Sequence, residues 1–118
     1  MKTLENNKYK AVIFLGDTNT VMGSIAVAQH NIPIVHIEGC MRSYDWRMPE
    51  EKYRTTIDHL SDRIYAYLDG YKNQGLKEGI SEQIIKVTGN PIVDIINENK
   101  NLFDSGDQFL SQEILKLI

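Results

Sequence analysis

Ala11-Val12-Ile13-Phe14-Leu15-Gly16-Asp17 is the stretch that decides the fold. Five apolar residues in a row, closed by a glycine and an acid, read as a short strand buried on both faces, in the middle of a parallel sheet. Downstream, Val21, Met22, Ile25, Ala26 and Ala28 recur at helical spacing between Thr18 and His30, with Asp17 or Thr18 standing where a helix start is capped. Asn31-Ile32-Pro33 breaks that helix, and Ile34-Val35-His36-Ile37 is a second apolar strand. Strand, helix and strand make a β-α-β unit, expected to be right-handed.

Further out, Glu38 to Met48 shows no period and reads as a long loop leaving a strand end. Pro49-Glu50-Glu51 opens a helix to about Leu60, with proline at the first helical position and acids in the first turn. Arg63 to Tyr67 and Ile84 to Thr88 are the third and fourth strands, separated by a helix over Gly70 to Lys77. A helix from Ile92 to about Asn99 follows, then a loop and a short amphipathic helix within Asn101 to Ile118. The alternation specifies an α/β fold, a parallel sheet of about four strands with helices on both faces. A strand that reads as central so near Met1, and an apolar helix at Ile118, read as part of something larger.

With 118 residues, 42% of them apolar, the chain has material for one layered domain. The formal net charge is -3 and the basic residues are scattered, so neither a nucleic-acid footprint nor a membrane-surface patch is expected. Cys40 is the single cysteine, which excludes an intramolecular disulfide and a cysteine metal cage and fits a reducing compartment. The segment Met1 to Lys8 is polar, and no apolar run approaches the ~18 residues of a membrane span. A cytoplasmic, soluble protein is expected.

In parallel sheets, ligands bind beyond the carboxyl ends of the strands. Those ends carry Gly16-Asp17-Thr18 and His36-Ile37-Glu38-Gly39, and the helix after the loop begins with Glu50 and Glu51. Asp17 fits a helix cap as well as a catalyst, and Glu50 and Glu51 fit dipole-complementing acids as well as site groups. Glu38, directly after an apolar strand, has no capping role to explain it. His36 fits a satisfied buried histidine or a site residue; Arg42, Arg47 and Arg54 fit solvated ion pairs or an anion clamp; Trp46 fits packing or ring stacking. Cys40 lacks the neighbours of a nucleophilic thiol. Glycine-rich phosphate loops and metal-ligand spacings are absent from the sequence.

Five segments in order, Gly16-Asp17-Thr18-Asn19-Thr20, His36 to Ser43, Met48 to Arg54, Asp58 to Asp62 and Val87 to Asp94, resemble the non-hydrolysing UDP-N-acetylglucosamine 2-epimerases. The resemblance runs over about residues 11 to 96. It implies a glycosyltransferase-B type enzyme of two Rossmann-like domains, of which residues 1–100 would be part of the first and 101–118 a helical segment leading toward the second. It implies interconversion of UDP-GlcNAc and UDP-ManNAc by elimination of UDP to a 2-acetamidoglucal and re-addition, with no metal or other cofactor. A homodimer serving cell-surface polysaccharide synthesis would be the complete form. The resemblance places the catalytic carboxylates on Asp17, Glu38 and Glu50, and the substrate-binding residues on Arg42, Arg54, Thr18 and His36.

The chain departs from that pattern where the family has Glu-Ala-Gly-Leu-Arg and this sequence has Glu38-Gly39-Cys40-Met41-Arg42, and where Asn-Arg is replaced by Tyr53-Arg54. The family's first strands, catalytic histidine and uridine-binding segment have no counterpart, so the chain alone is expected to be inactive. A related UDP-2-acetamido sugar is an alternative substrate. A nucleotide-sugar binding or assembly module without catalysis is an alternative function. A phospho-acceptor receiver domain shares the α/β pattern but expects a lysine after its last strand, where this chain has Val87-Thr88-Gly89.

Overall fold

A computed structural model describes residues 8–101. Its strands are β1 (Val12–Leu15), β2 (Ile34–Ile37), β3 (Arg63–Ala66) and β4 (Ile85–Val87), all parallel and ordered β1-β2-β3-β4. Its helices are α1 (Ser24–Gln29), α2 (Pro49–Leu60), α3 (Asp69–Lys77) and α4 (Pro91–Glu98), with 3-10 turns at Asn19–Gly23 and Glu82–Ile84. Most of the C-terminal segment expected to be helical lies outside the described residues.

Register fixes which side chains share a face. Val12 lies beside Ile34, Phe14 beside His36, His36 beside Ile64 and Ile64 beside Ile85, so these point one way and their alternates the other. On the first face, Val27 of α1 and Ile57 of α2 pack with Val21 and Ile34 against Val12 and Phe14. Tyr71 and Leu76 of α3 pack there on Ile64, Ala66 and Ile85. Full burial of one such aliphatic side chain contributes about 1.5–3 kcal/mol.

Three expectations are corrected. β1 stands at a sheet edge among the described strands rather than in the middle, and Ile13 and Leu15 are 65% and 62% exposed. Its apolar run therefore does not mean burial on both faces here. The expected covering of both faces is seen on one: sequential strand order with crossovers of a common hand places successive helices on the same side. The helix expected over Thr18 to His30 is a 3-10 turn followed by α1, and neither Asp17 nor Thr18 makes a side-chain cap. Asn90 does cap α4, its Oδ1 accepting the Ile92 N–H at 3.1 Å.

A candidate carboxylate site at the sheet edge

The carboxyl ends of β1 and β2 are pinned together by backbone. Gly16 N–H donates to the Ile37 carbonyl at 3.0 Å, and the Glu38 and Gly39 N–H groups both donate to Tyr65 at 3.0 and 3.1 Å. Gly16 turns with φ +68°, while Glu38 and Cys40 adopt φ +74° and +63°. For residues with a Cβ this costs about 1–3 kcal/mol each and persists where the surroundings over-determine it. The turn brings a Glu38 Oε2 to 3.1 Å from where a Cβ on Gly16 would stand. Glu38 is half-buried, and its carboxylate makes no hydrogen bond or ion pair among the described residues.

Asp17, beside it, is tied to α2. Arg54 donates from Nε to Asp17 Oδ2 at 2.6 Å and from a terminal nitrogen at 2.5 Å, while its other terminal nitrogen reaches Glu51 at 3.1 Å. Glu50, in the first turn of α2, is half-buried and without a hydrogen-bonding partner among the described residues. Thr18 is exposed, its hydroxyl 2.6 Å from that of Thr20. Asp17, Glu38, Arg54 and Thr18 are thus placed at one edge, the first two acids next to each other.

Glu51, which the sequence offered as a first-turn acid or a site group, is the better held of the two glutamates. Buried at 2% exposure, it accepts the Ser43 and Tyr44 N–H groups and the Ser43 hydroxyl, each at 2.9 Å, as well as Arg54. Burial alone would push its pKa up, but those backbone and hydroxyl donors and the Arg54 charge outweigh it and hold the carboxyl below its ordinary value. Glu51 fastens the loop to α2. Tyr67, read from sequence as the end of the third strand, follows β3; burial first and the Glu38 charge second push its phenol pKa up.

His36 and Arg42 are each engaged by other residues of the chain. His36 is fully buried, with Nδ1 2.7 Å from Asp58 Oδ1 and Nε2 2.9 Å from the Gly16 carbonyl. Arg42, with a side chain 2% exposed, spends its donors on Glu78 at 2.9 and 2.6 Å, on Asp58 at 2.7 Å and on the Met41 carbonyl at 2.7 Å. Asp58 also accepts the Cys40 N–H at 3.0 Å. A signal for this layer existed: Glu51, Arg54 and Asp58 recur at i, i+3 and i+7, a polar stripe adjoining the core-facing Ile57.

The departure at 39 and 40 also has a structural account. A Cβ on Gly39 would stand 2.3 Å from Ile64 Cγ2, and the Cys40 sulfur lies 2.6 Å from where a Cβ on Gly75 would be. The bulk moved to position 40 is accommodated by the missing Cβ of α3. The thiol is buried, which together with Asp58 pushes its pKa up to about 12 against the opposing Arg42 charge. Among the described residues, no group of three or more His, Cys, Asp or Glu is placed to hold a metal ion, and no helix is long and apolar enough to cross a membrane.

The chain is 40% identical over 108 residues to a UDP-N-acetylglucosamine 2-epimerase of Methanococcus maripaludis, covering 91% of this chain and 30% of that protein. A Methanocaldococcus jannaschii enzyme of the same name is 38% identical over 107 residues, covering 90% and 29%. The chain thus spans about three tenths of the length of these relatives. Its structure superposes on the Rickettsia bellii UDP-N-acetylglucosamine 2-epimerase with a TM-score of 0.79 at 30% identity, over 98% of this chain and 30% of that one. On the M. jannaschii enzyme in complex with UDP-GlcNAc and UDP the TM-score is 0.78 at 41% identity, over 83% and 27%. With a family model, UDP-N-acetylglucosamine 2-epimerase, matching residues 1–116, the chain belongs to that family.

Proposed function

We propose that the chain supplies the carboxylate side of the nucleotide-sugar site in an enzyme interconverting UDP-GlcNAc and UDP-ManNAc. The observation that carries this reading is Glu38: a carboxylate left unpaired among the described residues, on a left-handed turn, beside the Asp17–Arg54 pair. One carboxylate takes the proton from C2 of the sugar. The C–H electron pair becomes the C1–C2 double bond as the C1–O bond breaks and UDP leaves. UDP then adds back to C1 while a carboxylic acid delivers a proton to the opposite face of C2. Asp17, Glu38 and Glu50 provide the carboxyl groups for the two proton transfers, each of the kind that contributes roughly 10²–10⁴-fold. Arg54 and Thr18 border the substrate; Arg42 and His36 act from behind.

The remaining parts of the site come from the rest of the family's length, so the chain works within a larger protein, as a homodimer in the cytoplasm. The free, buried Cys40 fits that compartment. The test is a hybrid in which this sequence replaces the matching segment of the M. jannaschii enzyme. In D₂O with UDP-GlcNAc it should incorporate deuterium at C2 and form the epimer, and Glu38→Gln should lose both while still binding UDP. Full exchange retained in Glu38→Gln would overturn the assignment. Binding without any exchange in the unmutated hybrid would support a binding module instead.

A further inference from the structure

We infer that His36, acting through Asp58, is a positioning residue that holds Asp17 and Glu38 at a fixed separation across the sheet edge. The inference rests on the proposed reaction for what that separation serves, and on the geometry alone for the holding. The carbonyl of Gly16 can only accept, so Nε2 of His36, 2.9 Å away, donates to it. The other nitrogen meets Asp58 Oδ1 at 2.7 Å, and the second oxygen of Asp58 takes the Cys40 N–H at 3.0 Å and Arg42 at 2.7 Å. Gly16 immediately precedes Asp17, and Cys40 follows Glu38 by two residues. One hydrogen-bonded chain therefore runs from the backbone beside one acid to the backbone beside the other.

Both ends of that chain lie where the backbone is left-handed, at Gly16 and at Glu38 and Cys40. Such conformations last where surrounding contacts leave no alternative. Slack is excluded in between: a Cβ on Gly39 would stand 2.9 Å from Asp58 Oδ1 and 3.1 Å from His36 Nδ1, so the peptide passes directly over the pair. An aliphatic residue would fill the volume of His36 at no desolvation cost. What imidazole adds is two bonds in fixed directions, one toward each acid's backbone.

Two substitutions separate the two bonds. In His36→Gln the amide can still donate to the Gly16 carbonyl and loses Asp58; in His36→Asn it can still donate to Asp58 and loses Gly16. In the hybrid enzyme, His36→Asn should lower kcat roughly 10²-fold, the size of loss that a misplacement of about 1 Å causes, with KM little changed. His36→Gln should restore most of it. Equal kcat per folded molecule in the two variants would mean a space-filling role and overturn the inference.

The 118-residue chain supplies a readout independent of turnover. The amide resonances of Gly16 and Asp17 should move in His36→Asn and stay in place in His36→Gln, and those of Glu38 and Cys40 should move in Asp58→Asn. Unmoved resonances in His36→Asn overturn the holding role whether or not the hybrid turns over. A hybrid that fails to exchange C2 while the resonances shift as expected counts against the reaction alone. If His36→Asn does not fold, the Asp58→Asn spectrum decides in its place, with unmoved Glu38 and Cys40 amides the overturning result.

Discussion

Two groups of acids share one edge of this sheet and are built in opposite ways. Asp58, with His36, Arg42 and Glu78, forms a buried cluster in which the Asp58 oxygens and both nitrogens of His36 have partners. Glu38 and Glu50, 20 and 8 residues before Asp58, have no such partners among the described residues. A carboxylate saturated with hydrogen bonds in a dry site keeps its geometry; one left open can meet a ligand. Under the proposed reaction, the difference would sort these acids into holding and reacting roles more sharply than residue type does. Glu50 and Glu51 make the point within one helical turn.

The comparison can be broken most directly at its extremes. Glu38→Gln should lower C2 exchange by roughly 10²–10⁴-fold in the hybrid enzyme, with the urea midpoint of the chain unchanged; lost stability with retained exchange would reverse the assignment. Asp58→Ala should do the opposite to folding, since removing one partner of a buried pair costs about 3–5 kcal/mol, read from equilibrium denaturation.

Packing gives a smaller effect. Gly75→Ala puts a Cβ 2.6 Å from the Cys40 sulfur, and overpacking of this kind costs about 1–3 kcal/mol. Cys40→Gly should recover most of that in a double-mutant cycle, and additivity would show that the two positions are not coupled.

Glu51 sharpens the contrast through pH. Its folded pKa lies below the ordinary 4.5, so the stability that it contributes is fully present above that value and drains away as pH falls through the folded pKa. Denaturation midpoints measured from pH 6 downward should fall less steeply in Glu51→Gln than in the parent. At the small end stands Ser24, whose buried hydroxyl has no partner among the described residues. Ser24→Ala should leave stability unchanged or raise it by up to about 1 kcal/mol, and a clear loss would reveal a partner for the hydroxyl.

Local signals carried much of this architecture. The strand ends at Gly16-Asp17 and His36-Ile37-Glu38 and the helix start at Pro49 were legible because apolar runs, glycine and proline act within a few residues. The edge position of β1 was not, because continuous apolarity reports hydrophobicity and says nothing of which strands pair on either side. Asp17 was legible as a residue at the edge but not as Arg54's partner, a contact spanning 37 residues. The partners of His36 and Arg42 were not legible, because Asp58 lies 22 and 16 residues away from them and Glu78 lies 36 from Arg42. Glu51 was legible as a first-turn acid or a site group, but not as the acceptor of the Ser43 and Tyr44 N–H groups, which only the folded loop brings to it.

Cys40 turns the tightness of the carboxylate edge into something that can be timed. It is the only thiol in the sequence, fully enclosed, with an ionisation far above neutral, so reagents in solution should find it inert while Gly75, Asp58 and the Glu38 turn keep their places. Each opening of that turn would expose one reactive sulfur. The rate of alkylation in the native chain is therefore a clock for how often the site comes apart, with no label introduced and no substrate required.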